Sequence, residues 1–155
     1  MSGQLQTEFD MRELYPLLSE VLESGGEFRL YPKGTSMLPL LCEGEDSVLL
    51  KKCTALEVGN IYLYRRKGGK FVLHRLVAME QGNGAPVFRG DNQDWLEYGI
   101  AREDVLAVVS GIFKKDVPYP MDSPRYRSYL RRLSSPFCRF WRFLPRRVRA
   151  KLTKK

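Results

Sequence analysis

Between Glu27 and Lys114 the apolar residues come only in short runs, rich in Val, Ile, Tyr and Phe and each closed by Gly, Pro, Asn or a charged pair. Runs of that length suit half-buried or buried β-strands and are too short for helices that could carry a core. The pattern predicts strands near 27–31, 47–53, 60–66, 70–80, 85–89 and 105–114. Lys67-Gly68-Gly69-Lys70 and Gln81-Gly82-Asn83-Gly84 read as hairpin connections between neighbouring runs. Closely spaced strands without intervening helices exclude a βαβ array and predict a mainly β domain, a folded sheet or small barrel.

Ahead of these runs, Leu14, Leu17, Leu18, Val21 and Leu22 recur with helical period after Asp10 and Glu13, which stand at capping-box spacing, and Gly25-Gly26 ends the run. An amphipathic N-terminal helix follows, with Pro16 tolerable only near its first turn, so that it kinks or starts later than Asp10. At 155 residues the chain accommodates one domain with an appendage. After Lys115 the sequence shifts to Pro118, Pro120 and Pro124 among polar residues, a linker composition. The expected organisation is thus a helix over 1–26, a β-rich body over 27–115 and a linker with a tail over 116–155.

Charge divides along the same line. Residues 1–113 carry 12 Lys+Arg against 16 Asp+Glu, a net of −4, whereas residues 114–155 carry 14 against 2, a net of +12. The tail is therefore the part suited to an anionic partner. In it Phe137, Phe140, Trp141, Leu144 and Val148 fall on one helical face, with Arg139, Arg142, Arg146, Arg147 and Arg149 largely elsewhere. Such a helix suits an anionic membrane surface or a groove on a partner better than nucleic acid, because its apolar residues are clustered rather than interspersed; it could also fold back on the acidic body. Cys42, Cys53 and Cys138 have no metal-ligand spacing, and the single histidine has no Cys or His neighbour, so neither a disulfide framework, a zinc site nor any other cofactor is expected. No stretch has the length of apolar sequence that a membrane span requires, and MSGQLQTEFD lacks the features of a signal peptide; a cytoplasmic protein, peripheral to the membrane at most, is the expectation.

Three short segments could carry chemistry. Pro32-Lys33-Gly34-Thr35-Ser36-Met37-Leu38-Pro39 holds a serine between a glycine turn and a proline, so its hydroxyl can be presented at a fixed angle beside backbone N–H groups, although serine there is also an ordinary turn residue. His74, in Phe71-Val72-Leu73-His74-Arg75-Leu76-Val77, shares a face with Val72 and Leu76, an apolar setting that suits a satisfied core histidine or a shielded general base. Phe88-Arg89-Gly90-Asp91-Asn92-Gln93-Asp94 runs from a strand into a Gly-Asp turn, and either carboxylate could orient an imidazole.

Taken in order, Gly-x-Ser-Met-x-Pro, the Gly44–Val48 strand, Gly59-Asn60-Ile61-Tyr62-Leu63-Tyr64, His74-Arg75, Gly90-Asp91-Asn92 and Val109–Gly111 resemble the signal peptidase family of serine proteases over about residues 28–114. The version with His in place of Lys, found in the endoplasmic reticulum, archaea and some spore formers, is the nearer likeness. The resemblance implies Ser36 as nucleophile, His74 as base and Asp91 as the third residue, with Asp94 as the alternative acid and Glu97 a further candidate. It implies a shallow apolar substrate pocket to which Met37, Leu38 and Pro39 contribute. Asn60 stands where the family has Asp, Gly44-Glu45-Asp46 carries one residue more than the usual Gly-Asp box, and the family's N-terminal membrane anchor has no counterpart.

The function expected on this basis is a serine endopeptidase acting on an extended leader- or signal-like peptide at the cytosolic membrane face. A non-catalytic peptide-binding module of the same fold is one alternative. Another is a regulator similar to the self-cleaving repressors, with the tail as a nucleic-acid-binding arm and self-cleavage at a small-residue bond such as Gly25-Gly26 or Ala55-Leu56.

Overall fold

The computed structural model describes residues 11–136; the residues proposed to meet a membrane, Phe137, Phe140, Trp141, Arg139, Arg142, Arg146 and Arg147, lie outside them, as do Asp10 and Cys138. The first element is helix α1 (Met11–Glu23), amphipathic with Leu18 and Leu22 buried. It starts at Met11, so Pro16 sits in its second turn and costs one i→i−4 backbone bond. Its end follows from Gly25, whose φ of 79° no branched side chain adopts easily; the Gly26 N–H then reaches the Val21 carbonyl at 2.9 Å and the Gly25 N–H the Leu22 carbonyl at 3.1 Å.

Seven strands follow: β1 (Phe28–Leu30), β2 (Asp46–Lys52), β3 (Ile61–Arg65), β4 (Phe71–Met79), β5 (Pro86–Arg89), β6 (Val105–Lys114) and β7 (Val117–Tyr119), with a 3-10 turn at Arg102–Asp104 and a second helix, α2 (Pro124–Ser134). They form one antiparallel sheet in the order β1-β2-β6-β3-β4-β5, with β7 also paired to β6. The protein is mainly β, with six strands within one residue of the runs read from the sequence. Register shifts at Leu49/Leu50, Leu63/Tyr64 and Leu76/Ala78 bend the strands and increase their twist.

Both faces of the sheet are covered. Ile61, Leu63, Leu73, Ala107 and Val109 join Leu18 and Leu22 of α1, Met37, Leu40, Leu41 and Tyr126 of α2 in one core cluster. Tyr62, Tyr64, Leu76, Phe88, Ile100, Val105 and Val108 form a second. Alternation in β3 sends Ile61 and Leu63 to the first cluster and Tyr62 and Tyr64 to the second, which explains four consecutive buried residues.

The stretch expected as a linker is structured. Lys115 and Asp116 both have positive φ, at 49° and 65°, the backbone a tight two-residue hairpin needs, and they fold Val117–Tyr119 back on β6. Pro118 is accommodated because β7 is paired on one side only. Ser123 caps α2 by accepting the Tyr126 N–H at 3.2 Å, Pro124 occupies its first turn, and Tyr126 is buried in the core. The body therefore continues through α2, and the start of the basic tail packs on the sheet.

Among the described residues, no helix is long and apolar enough to cross a membrane.

Candidate active site

Adjacent residues of β4 point to opposite faces, so His74 and Arg75, both buried, enter different surroundings. His74 lies opposite Tyr62 of β3 and Arg75 opposite both Ile61 of β3 and Arg89 of β5, where β4 passes from one neighbour to the other.

On the Arg75 side, the guanidinium makes two parallel bonds to Asp91, Nε to Oδ1 at 2.8 Å and NH2 to Oδ2 at 2.7 Å. Its NH1 donates to the Gly59 carbonyl at 2.6 Å and to the Tyr126 hydroxyl at 3.1 Å, and the Tyr129 hydroxyl donates to Asp91 Oδ2 at 2.8 Å. Burial works against the Arg75 cation, but Asp91 outweighs it and raises the arginine's pKa. Every guanidinium nitrogen and carboxylate oxygen of this ion pair has a hydrogen-bond partner, as a buried pair requires. Asp91, expected beside the imidazole, is thus the partner of Arg75; its carboxylate lies with the opposite face of β4.

The same turn holds the serine. The Asn92 N–H donates to the Ser36 carbonyl at 2.7 Å and its side-chain amide to the Thr35 carbonyl at 3.1 Å. A Cβ on Gly90 would stand 2.6 Å from the Ser36 carbonyl oxygen, so only glycine permits this approach. On the other flank the Gly34 N–H is bonded to the Glu43 carboxylate at 2.9 Å. Gly90-Asp91-Asn92 is therefore a clamp joining the serine loop to β4 through Arg75.

On the His74 side, Nδ1 is 3.0 Å from the Tyr64 hydroxyl, which donates to Glu97 Oε2 at 2.8 Å, and Glu97 is 3.6 Å from Nδ1 itself. Arg66 binds both oxygens of Glu97. Burial would raise the Glu97 pKa, yet the bonds from Arg66 and Tyr64 outweigh it and hold the pKa below the usual value. Glu97 is then an ionised acceptor, Tyr64 must donate to it, and the Tyr64 oxygen is left to accept Nδ1–H of His74. Burial and the neighbouring Glu97 also raise the Tyr64 pKa, keeping its proton in place. The imidazole is accordingly the Nδ1–H tautomer, with the lone pair on Nε2. Burial, opposed by Glu97, lowers the His74 pKa from about 6.5 to about 4, so the ring is neutral at pH 7.

Glu97 owes its position to a backbone bridge: its N–H and C=O pair with those of Phe88 at 2.8 and 3.0 Å. Tyr64 is fixed by stacking on Phe88, with ring centroids 4.3 Å apart. Tyr64 and Arg66 had no signal in the sequence beyond ordinary strand and hairpin residues. Asp94, the alternative acid, is on the exposed part of the turn.

Ser36 and His74 line one cleft of about 980 Å³, whose wall includes Leu30, Met37, Leu41, Leu63 and Leu73. Among the described residues, no hydrogen bond joins the two side chains. Met37 lines the cleft and Leu38 does not. Pro39 borders a separate cavity of about 510 Å³ against Lys114, Tyr119 and α2. Asn60 stands at a turn, its amide 3.4 Å from Glu57, and Asp46 is a buried latch accepting from the Cys42 N–H at 2.8 Å, the Lys115 N–H at 3.2 Å and the Lys114 ammonium. Both departures from the family pattern are therefore remote from the Ser36–His74 cleft in role.

No protein-family model matches the chain, and neither curated proteins nor solved structures provide a match.

Proposed function

We propose that the protein is a serine endopeptidase with a fold of the signal-peptidase kind, in which Ser36 is the nucleophile and His74 the general base. The observation that carries this reading is that Ser36, in its clamped loop, and the β4 edge at His74 border one cleft, while the imidazole Nδ1 is tied to the Tyr64–Glu97 relay and leaves Nε2 as the acceptor. Nε2 takes the Ser36 proton as Oγ attacks the scissile carbonyl, and the imidazolium so formed is balanced by Glu97 through Tyr64. Backbone N–H groups near Ser36 receive the oxyanion; the imidazolium returns its proton to the leaving amine, and water then releases the acyl-enzyme. Glu97 takes the part that the resemblance assigned to Asp91.

The substrate is an extended peptide. Among the described residues, Phe71–His74 pairs with β3 on one side only, since β5 begins its pairing at Arg75, and this open edge borders the cleft. A peptide adding as a strand there has its main chain held in register beside His74. The basic, aromatic residues 137–155 suit attachment to an anionic membrane surface, which would put the activity at the cytosolic face and its substrates among leader- or signal-like segments.

Incubating a mixed peptide library and the intact chain with liposomes, followed by mass spectrometry, tests the reading. Cleavage by the wild type that disappears in Ser36→Ala is the expected result. Peptides that bind but stay intact with both proteins would instead favour a binding module, the reading to which the missing Ser36–His74 hydrogen bond lends support.

A further inference from the structure

Helix α2 packs on the sheet and also lines the second cavity, of about 510 Å³. Arg125, Ser128, Tyr129 and Arg132 face it, the i, i+3, i+4, i+7 spacing of one helix face. The rest of the lining comes from Pro39 and Leu40, just beyond the serine, and from Lys114 and Tyr119 of the β6–β7 hairpin.

Some of these polar groups are already committed. Lys114 is bonded to Asp46 and to the Leu40 carbonyl, and the Tyr129 hydroxyl donates to Asp91, whose charge Arg75 meets. These pairs hold the walls together and bring the cavity no net charge. Arg125 and Arg132 differ. Both are exposed, and among the described residues neither is paired with a carboxylate. Arg125 lies over the Tyr119 ring, 5.8 Å from its centroid, a contact that uses the face of the guanidinium and leaves its N–H edge for an acceptor. The Ser128 and Tyr119 hydroxyls have no hydrogen-bond partner among the described residues, and no acidic side chain lines the cavity.

Seven residues separate the two arginines, roughly 10.5 Å along the helix axis. An anion lodged in the cavity therefore meets two guanidinium forks from different directions. The two oxygens of a carboxylate satisfy one fork in its plane, whereas the three terminal oxygens of a phosphate monoester, set tetrahedrally and carrying more charge, satisfy two. The cavity is also large enough for more than the anion, and the rest of its lining mixes hydroxyls with apolar carbon.

We propose that this cavity binds a small phosphorylated polyol, with the phosphate between Arg125 and Arg132, the polyol hydroxyls on Ser128 and Tyr119, and its carbon chain on Pro39 and Leu40. The same group occurs free and as the headgroup of a membrane lipid. The site is separate from the Ser36–His74 cleft and does not depend on the peptide-cleaving reading.

Isothermal titration of the full-length protein with glycerol 3-phosphate, and with glycerate as its carboxylate counterpart, tests the site. Glycerol 3-phosphate is expected to bind, and glycerate to bind at least about tenfold more weakly, the worth of one charge-assisted hydrogen bond. Arg125→Gln with Arg132→Gln should weaken the phosphate ligand by about tenfold per arginine. Arg127→Gln with Arg131→Gln removes two charges from positions of α2 that do not line the cavity, and should change nothing. All four positions are exposed, and equal urea midpoints exclude a folding effect. Flotation with phosphatidylcholine vesicles carrying phosphatidic acid or phosphatidylserine at matched surface charge then names the source. The basic residues 137–155 attract both vesicles. A preference for phosphatidic acid that only the Arg125 and Arg132 changes remove assigns the site to a lipid headgroup, and arginine-dependent binding of glycerol 3-phosphate without such a preference assigns it to a free polyol phosphate. Binding in neither arm, glycerate as tight as glycerol 3-phosphate, or an equal loss in the two double variants overturns the proposal.

Discussion

The two consecutive buried polar residues of β4 are held by opposite physical strategies. Arg75 keeps its charge in the interior by meeting a carboxylate in two parallel bonds, with Tyr126, Tyr129 and the Gly59 carbonyl completing the set. His74 gives up its charge: burial leaves it neutral, one nitrogen is tied through Tyr64 to Glu97, and the other faces no partner among the described residues. A fully satisfied pair suits a structural clamp, and a group with one polar atom unspent suits a reaction. Substitutions on the two faces should therefore separate stability from activity.

The largest effect is expected on the Arg75 face. Asp91→Ala strands a guanidinium that is 5 % exposed and uncouples the turn that holds the serine loop from β4. Breaking a buried ion pair from one side costs about 3–5 kcal/mol, a large part of the margin of a domain this size. Urea unfolding should show that loss, and activity should fall with it. Replacing the pair by an apolar set, Arg75→Met with Asp91→Leu, should restore most of the stability, because the unpaired charge rather than the lost attraction is the main cost.

On the other face, His74→Gln should leave unfolding at pH 7 nearly unchanged while reducing peptide cleavage by about 10²–10⁴-fold, the usual contribution of a general base. A variant that lost stability and activity in parallel would make His74 a second structural residue and erase the contrast. The same substitution isolates a pH effect. Because the folded-state pKa is about 4 against about 6.5, the unfolded chain binds a proton over that interval and the folded chain does not. The stabilising contribution is complete above pH 6.5 and is lost as pH falls to about 4, an amount on the order of 3 kcal/mol over the full interval. Wild type should thus lose more stability between pH 7 and pH 4 than His74→Gln, while the acid limb of its cleavage profile lies near pH 4.

This division was only half legible in the sequence. The strands were, because short β-branched and aromatic runs closed by Gly pairs report local geometry that the sheet preserves. The clamp was visible as Gly90-Asp91-Asn92, but its bond to Arg75 was not: strand parity puts residues 74 and 75 on opposite faces, and the Gly-Asp turn returns on the face of Arg75. Glu97 is distant in sequence from both Tyr64 and His74, and only the backbone bridge to Phe88 brings it there. Proline-rich composition likewise concealed β7, whose one-sided pairing tolerates Pro118, and the arginines of α2 masked Tyr126 and Tyr129, the two side chains that tie it to the sheet.

The smallest expected effect distinguishes Tyr64 as a spacer from Tyr64 as a required link. Tyr64→Phe removes the hydroxyl between His74 and Glu97 and leaves the ring stacked on Phe88. Glu97 Oε2 is already 3.6 Å from Nδ1, so a shift of less than 1 Å makes the contact direct. The tautomer survives, and the loss of cleavage should be about tenfold, less than for His74→Gln, since the base is retained and only its orientation is loosened. A carboxylate bonded directly to the ring favours the imidazolium more strongly than one acting through a neutral hydroxyl, so the acid limb should move upward from about pH 4. A Tyr64→Phe enzyme as impaired as His74→Gln, with its acid limb unmoved, would mean that Glu97 does not orient the base and that Tyr64 serves the core alone.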